Sequence, residues 1–343
     1  MSEPTEPSTR PSEANGPSRI PVTARLGVLK TYKLYIGGKF PRSESGRVYE
    51  VTAATSAAGA AGEGRWLANA PRASRKDARD AVVAARKAFG GWSGATAYNR
   101  GQILYRIAEM LEGRREQFVR EVADAEGLSP QEAEGRVDAA IDRWVWYAGW
   151  TDKIAQVVGG GNPVAGPFFN LSTPEPTGVV AVLAPQESSF LGLVSVLAPV
   201  IATGNTAVLV AAERAPLPAL SLGEVLATSD LPGGVVNVLS GRTAEIATPL
   251  AAHQDVNAID LTGAAGDPAL AKELETAAAE NLKRVLRPHP VDNAGNAGNA
   301  DDAGGTGSPD WTADPGTGRL TAFLETKTVW HPTGALGVSG SSY

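Results

Sequence analysis

The stretch "GVVAVLAPQESSFLGLVSVLAPVIATGNTAVLVAAERAPLPALSLGEVLATSDLPGGVVNVLSG", residues 178–241, decides the fold. Its three short apolar runs, GVVAVLA (178–184), TAVLV (206–210) and VVNVLS (235–240), lack the polar and apolar alternation of a half-exposed strand, so both faces of each must be buried. A fourth run, AIDLT (258–262), extends the series. The strand starts at 178, 206, 235 and 258 lie 23 to 29 residues apart, with helix-like sequence between them. That spacing suits parallel strands joined by crossover helices. Residues 179–287 are therefore predicted to form a doubly wound α/β domain around a parallel sheet. Such sheets bind ligands beyond the carboxyl ends of their strands, so the informative loops begin at Pro185, Ala211, Gly241 and Gly263.

Upstream, residues 27–160 read as short strands followed by helices. LYIGGKF (34–40) and RVYEV (47–51) suggest two strands around a Gly-Gly turn. From Ser74, an expected N-cap, Ala78, Ala81/Val82, Ala85 and Ala88/Phe89 recur at helical spacing, with Gly90-Gly91 as the expected stop. Ile103/Leu104, Ile107, Met110/Leu111, Phe118, Val122, Val137, Ile141, Trp144/Val145 and Ala148 continue the period, with breaks near Gly113 and Gly127. Residues 74–155 thus read as a helical layer. Trp144, Trp146 and Trp150 invite a ligand-stacking reading, but their helical spacing assigns them to the core. Residues 1–26 are rich in Pro, Ser and Glu and are expected to be a disordered tail.

Composition excludes several function classes. The chain has 343 residues, 43% of them apolar, enough for a substantial core. A net charge of −6 with both signs interspersed gives no electrostatic footprint for nucleic acid. The longest apolar run, Phe190 to Ala202, is too short to span a bilayer and contains Pro199. The amino-terminal stretch lacks the pattern of a secretory signal, so the expectation is a cytoplasmic protein with no membrane partner. Cysteine is absent, which removes disulfides, thiolate metal sites and thiol nucleophiles. His253, His289 and His331 share no ligand spacing, and no metal site is expected. No G-x-G-x-x-G follows the first strand, where APQESS stands instead, and the GGG at 159–161 precedes no helix.

The loops carry a resemblance. "APVIATGNTAVLVAAERAPLPALSLGEVL", "LPGGVVNVLSG" and "AAHQDVNAIDLTGAAG" resemble the cofactor-binding half of the aldehyde dehydrogenase superfamily. LYIGGKF, NRGQILYRIAEML and PEPTGVVAVLAP match its earlier segments in order. The resemblance implies an α/β cofactor domain, an α/β catalytic domain and a small antiparallel arm used for oligomerisation. "GNPVAGPFFNLSTPEPTG" (161–178) resembles the arm hairpin, and "LTAFLETKTVW" within 319–333 resembles its third strand. Between them, after residue 287, the catalytic domain has no counterpart. Residues 288–318, rich in Asn, Ala, Gly and Asp, are expected to be a flexible linker in its place, and 334–343 a tail.

Family chemistry can be followed residue by residue. Members attack the aldehyde with a cysteine thiolate, and this chain has no cysteine. The glutamate that activates the hydrolytic water falls on Pro288, which cannot accept a proton. The oxyanion asparagine of a Pro-Trp-Asn loop becomes Glu187 in Pro185-Gln186-Glu187, a carboxylate that repels developing negative charge. No catalytic residue is therefore assigned. The Lys and Glu that hold the adenosine ribose fall on Val210 and Glu213. The Phe-Thr-Gly-Ser turn becomes Leu261-Thr262-Gly263-Ala264, keeping the glycine that permits close backbone approach, and the next family glycine becomes Pro268. Glu213 and Gly263 are the candidate cofactor residues of a degenerate site, for which NAD(P) binding is expected to be weak or absent. A bland reading of Glu213 as a surface acid at a helix start stands beside that assignment.

Three functions follow as expectations. The chain is a catalytically silent partner of a full-length aldehyde dehydrogenase, held through its arm or associating with itself. Alternatively it is an NAD(P)-dependent oxidoreductase acting on aldehydes, or a residual dinucleotide-binding module with Glu187 recruited as acid or base. The third reading is a product of internal deletion without a selected role.

Overall fold

The computed structural model describes residues 28–55, 64–287 and 309–334. The tail expected over 1–26, the linker as far as residue 308 with Pro288 and His289, and the carboxyl tail beyond residue 334 lie outside these.

LYIGGKF is a single tight turn: Ile36 bridges Lys39, with Gly37 and Gly38 at φ +60° and +78°, a left-handed pair that side chains disfavour. Tyr35 bridges Val238, so the turn clips onto the large sheet and does not pair with RVYEV. The latter lies in β1 (Val48–Thr52), which pairs antiparallel with β2 (Trp66–Pro71), a strand whose mixed sequence carries no clear period.

Helix α1 (Arg75–Ser93) starts at the predicted Ser74, which forms a capping box with Asp77. It runs through the Gly90-Gly91 pair expected to stop it and ends at Gly94. Trp92 accounts for the extension: its indole is buried and donates to Ile201 O at 3.0 Å, so tertiary packing outweighs the glycine propensity. Helices α2 (Ala97–Glu112), α3 (Arg115–Glu126), α4 (Pro130–Trp150) and α5 (Ile154–Val158) follow, with the breaks at Gly113 and Gly127 as read from the sequence. Trp144 is fully buried, and Trp146 and Trp150 pack against the same core.

Next come β3 (Gly160–Asn162) and β4 (Phe168–Pro176) of the arm, then the doubly wound series. Its strands are β5 (Val179–Leu183), β6 (Thr206–Val210), β7 (Val236–Leu239), β8 (Ala258–Asp260) and β9 (Arg284–Leu286). Its helices are α6 (Leu191–Ala202), α7 (Leu217–Leu226), α8 (Thr243–Ala252) and α9 (Pro268–Ala279). The five strands are parallel, in the order β7-β6-β5-β8-β9. The chain starts at the central strand β5, winds outward to β7, then returns to β8, which puts the switch point between β5 and β8.

Alternate residues feed two cores. Val180 and Val182 join α2, α3, α4, α6 and α7 on one face, while Val179, Ala181 and Leu183 join α1, α8 and α9 on the other. The helical stretch 74–155 is therefore divided by the sheet: the Ala78, Ala81, Val82 and Ala85 stripe of α1 covers the face opposite α2–α4.

After residue 308 the chain does not continue as a spacer. Trp311 is buried, a short helix α10 (Gly318–Thr321) follows, and Leu320, Phe323 and Leu324 enter the first core. Strand β10 (Leu324–Pro332) then pairs antiparallel with β4 over nine residues, from Leu324 opposite Pro176 to Pro332 opposite Phe168. The arm sheet has the order β10-β4-β3. Residues Leu320 to Phe323, expected as strand, are instead the helix and its exit, because two buried apolar side chains three apart suit a helical turn on α6.

Candidate functional site

The carboxyl ends of β5, β6, β7 and β8 present the loops singled out from the sequence, and the structure separates them into two ends.

At the β6–β7 end stands Glu213. Its carboxylate Oε2 accepts from Thr243 N at 3.1 Å, the first residue of α8, and its own amide donates to Gln186 Oε1 at 2.9 Å. Glu213 thus supplies an acceptor to a helix start that has no side-chain cap of its own. The phenol of Tyr49 lies near this carboxylate and titrates above its ordinary range, first because it is buried and then because of the Glu213 charge. Thr243 is buried, and its Oγ1 makes no hydrogen bond. Val210 is 1% exposed within β6 and brings no cation to this end.

Gly263 lies in a short 3-10 turn, Thr262–Ala264, directly after β8. A Cβ placed on it would fall 2.3 Å from Ala184 O and 2.9 Å from the Leu183 carbonyl. The close approach that this glycine permits is therefore to the backbone at the end of β5.

At the switch point between β5 and β8 lies a buried charged cluster that the sequence reading did not assemble. Asp260, the last residue of β8, is fully buried. Its Oδ1 accepts from Thr262 N at 2.9 Å and from Thr262 Oγ1 at 2.5 Å. Its Oδ2 accepts from Arg319 Nη1 at 2.7 Å, and Arg319 Nη2 donates to Thr262 Oγ1 at 2.8 Å. The Arg319 guanidinium sits 5.7 Å from the centre of the Trp311 ring, within cation–π range. Trp311 Nε1 in turn points to Glu187 Oε1 at 3.4 Å. From α4, Arg143 Nη2 donates to the carbonyls of Trp311 at 2.7 Å and Ala313 at 3.0 Å. Burial pushes the Tyr147 phenol, also on α4, up to about 12, with the cations Arg319 and Arg143 pulling the other way. Asn205, inside the ATGNTAVL string, lies at the opposite end of the sheet, where β5 and β6 begin: Oδ1 accepts from Gly178 N at 2.8 Å, and Nδ2 donates to Phe323 O at 3.0 Å.

Glu213 and Gly263, the two predicted cofactor residues, thus stand at the expected strand ends but are engaged within the chain. Glu187 and Thr262, at the reacting end, are met by Trp311 and Arg319. Among the described residues no group of three or more His, Cys, Asp and Glu side chains could hold a metal ion, and no helix is long and apolar enough to cross a membrane.

Comparison with known sequences decides the ancestry: the aldehyde dehydrogenase family profile matches residues 54–293. The chain belongs to the aldehyde dehydrogenase family. The putative aldehyde dehydrogenase DhaS of Bacillus subtilis is 33% identical over 269 residues, 77% of this chain and 52% of that protein. Among solved structures, HpcC from Thermus thermophilus superposes with a TM-score of 0.69 at 28% identity, covering 75% of this chain and 48% of that one. Betaine aldehyde dehydrogenase of Staphylococcus aureus, solved as a Y450L variant in complex with NAD+, gives 0.68 at 24% identity and shares the fold, over 75% of this chain and 49% of its own. This aldehyde dehydrogenase family chain spans about half the length, or less, of the curated relatives it matches.

NAD(P) can be tested against these side chains. The adenosine end keeps one acceptor, Glu213, and lacks the cation. The end of β5 and β8 is engaged from within the chain: Trp311 stands against Glu187, and the Thr262 hydroxyl lies between Asp260 and Arg319.

Proposed function

We propose that this chain is a non-catalytic member of the aldehyde dehydrogenase family that acts as a structural or regulatory partner of a full-length relative. The observation that carries the reading is chemical: the chain contains no cysteine, and the loop that would hold the oxyanion ends in Glu187. Without a thiolate no thiohemiacetal forms, and a carboxylate in the donor position raises the energy of the negative charge that an acyl-transfer step develops. The arm supports the partner half of the reading. Its three strands are ordered, and β10 carries Thr326, Thr328, Val329 and Trp330, residues that favour strand pairing, with Trp330 56% exposed.

The test uses purified full chain and an aldehyde series with NAD+ or NADP+, followed by co-expression and pull-down with full-length family members. The expected result is no aldehyde-dependent formation of reduced cofactor and a stable mixed oligomer. Steady turnover by the chain alone refutes the non-catalytic half. Self-association or a monomer with every relative tried refutes the partner half.

A second reading, a residual dinucleotide-binding module, rests on Glu213 at the end of β6. Calorimetric titration with NAD+ and NADP+ tests it, and no heat at millimolar ligand ends it.

A further inference from the structure

The switch point of a doubly wound sheet is where a ligand enters, and here two side chains from the far end of the sequence stand on it. Asp260 is a carboxylate at zero exposure in a three-residue strand otherwise made of Ala258 and Ile259. Such a charge is tolerated only with a partner, and its partner, Arg319, comes from 59 residues further along. The same guanidinium binds Thr262 and faces Trp311, whose indole reaches Glu187 on the other side of the switch point. Arg143 fixes the segment from a third direction by gripping two of its carbonyls. These contacts span the loop after β5, the end of β8, and α4; Trp311 and Arg143 are each 7% exposed and Asp260 is fully buried, while the Arg319 side chain is partly exposed and Glu187 exposed.

We propose that residues Trp311 to Arg319 form a built-in stopper, seated by the Asp260–Arg319 pair and the Trp311 ring, that closes the reacting end of the cofactor crevice to the nicotinamide half of a dinucleotide. The proposal rests on the non-catalytic reading and adds a cause within the chain itself. Two consequences follow. A dinucleotide gains nothing over a mononucleotide at this site, because the second half of the molecule meets Trp311 and Arg319. Removing the stopper uncovers Thr262 and the backbone at the end of β5.

The test compares wild type with Trp311→Ala, Arg319→Met, Asp260→Ala and the Asp260→Ala/Arg319→Met pair, all as full-length chain. Amide hydrogen exchange at Ala313 and at Leu320 to Ala322, whose amides donate to backbone carbonyls, reads the seating. In wild type these amides are protected. Each single change at the ion pair speeds their exchange at least 10-fold, and the double change perturbs them less than Asp260→Ala or Arg319→Met alone, since no charge is left buried without its partner. Titration with AMP and NAD+ reads the closure. Wild type binds the two with affinities within about 3-fold of each other, or binds neither, and Trp311→Ala raises NAD+ affinity at least 10-fold while leaving AMP unchanged.

Unprotected amides in folded wild type overturn the proposal, as does NAD+ binding that is equal in wild type and Trp311→Ala, or absent from both. The wild-type exchange needs no variant, so a substitution that fails to fold does not shield the idea. Aldehyde turnover by wild type is a separate readout and strikes the non-catalytic reading, whatever the exchange shows.

Discussion

Replacing Gly263 by alanine separates two roles for the same glycine. If its purpose is to let a pyrophosphate approach the backbone, the substitution lowers ligand affinity and leaves the ligand-free protein as stable as before. The structure gives a different expectation. The added methyl would lie 2.3 Å from Ala184 O and 2.9 Å from both C and O of Leu183. Ordinary carbon–oxygen contacts begin at about 3.3 Å, so the overlap with Ala184 O is about 1 Å. Neither neighbour can retreat easily. Leu183 closes the central strand β5, paired with Val210, and Ala184 N donates to Val210 O at 2.9 Å. Over-packing a filled site costs about 1–3 kcal/mol, and a backbone obstacle in a central strand places this case toward the top of that range. With a urea slope of about 3 kcal/mol/M, the unfolding midpoint should fall by about 0.5–1 M. Buried Trp92 and Trp144 report the transition by fluorescence. A Gly263→Ala protein that unfolds at the wild-type urea concentration refutes the argument.

Glu213→Gln tests whether the other candidate cofactor residue is a helix cap. Loss of the charged acceptor at Thr243 N should cost about 0.5–1 kcal/mol in the same urea assay without ligand, and no change would return Glu213 to the ligand reading. Ser74→Ala removes the capping box of α1 and should cost about 1 kcal/mol, measured likewise; an unchanged midpoint would mean that α1 is held by its packing alone. Lys283 offers a pH test. It is 8% exposed, and desolvation lowers its ammonium from the ordinary 10.5 to about 8. Because the folded-state value lies below the unfolded one, the charged form costs stability in full below pH 8, and the cost is relieved between pH 8 and 10.5. Lys283→Met should therefore stabilise by about 1–2 kcal/mol at pH 7, discounted for partial solvation, and by progressively less toward pH 10. A gain that stays constant across that range would show that the methionine acts through packing and not through charge.

The parts of the fold that could be read from the sequence are those set by local burial. β5, β6 and β7 lie within the runs predicted for them because short, mostly apolar segments without alternation are buried on both faces, between the helices that cover the sheet. The helix breaks at Gly113 and Gly127 were legible for the same local reason. What was not legible depends on distant partners. Gly90-Gly91 stays helical because Trp92 is anchored to Ile201, across 109 residues. β2 exists because β1 pairs with it, and its own sequence alternates poorly. The α1 stripe reads as part of one helical layer because amphipathic periodicity says which side of a helix is buried and not which face of the sheet it meets.

The site divides along the same line. Glu213 and Gly263 are assigned by position in a motif, and motif position does not say what a side chain touches. The decisive residue carried a signal of a different kind. In AIDLT the aspartate interrupts a strand that must be buried on both faces, and a carboxylate there requires a cation somewhere in the chain. That requirement could be read from five residues. Its answer could not, because 31 Lys and Arg residues compete for the assignment and only the folded chain brings Arg319 across. A charged residue inside an otherwise apolar strand is thus a statement about a contact not yet identified. Here the contact ties the segment before the arm strand to the ligand end of the sheet.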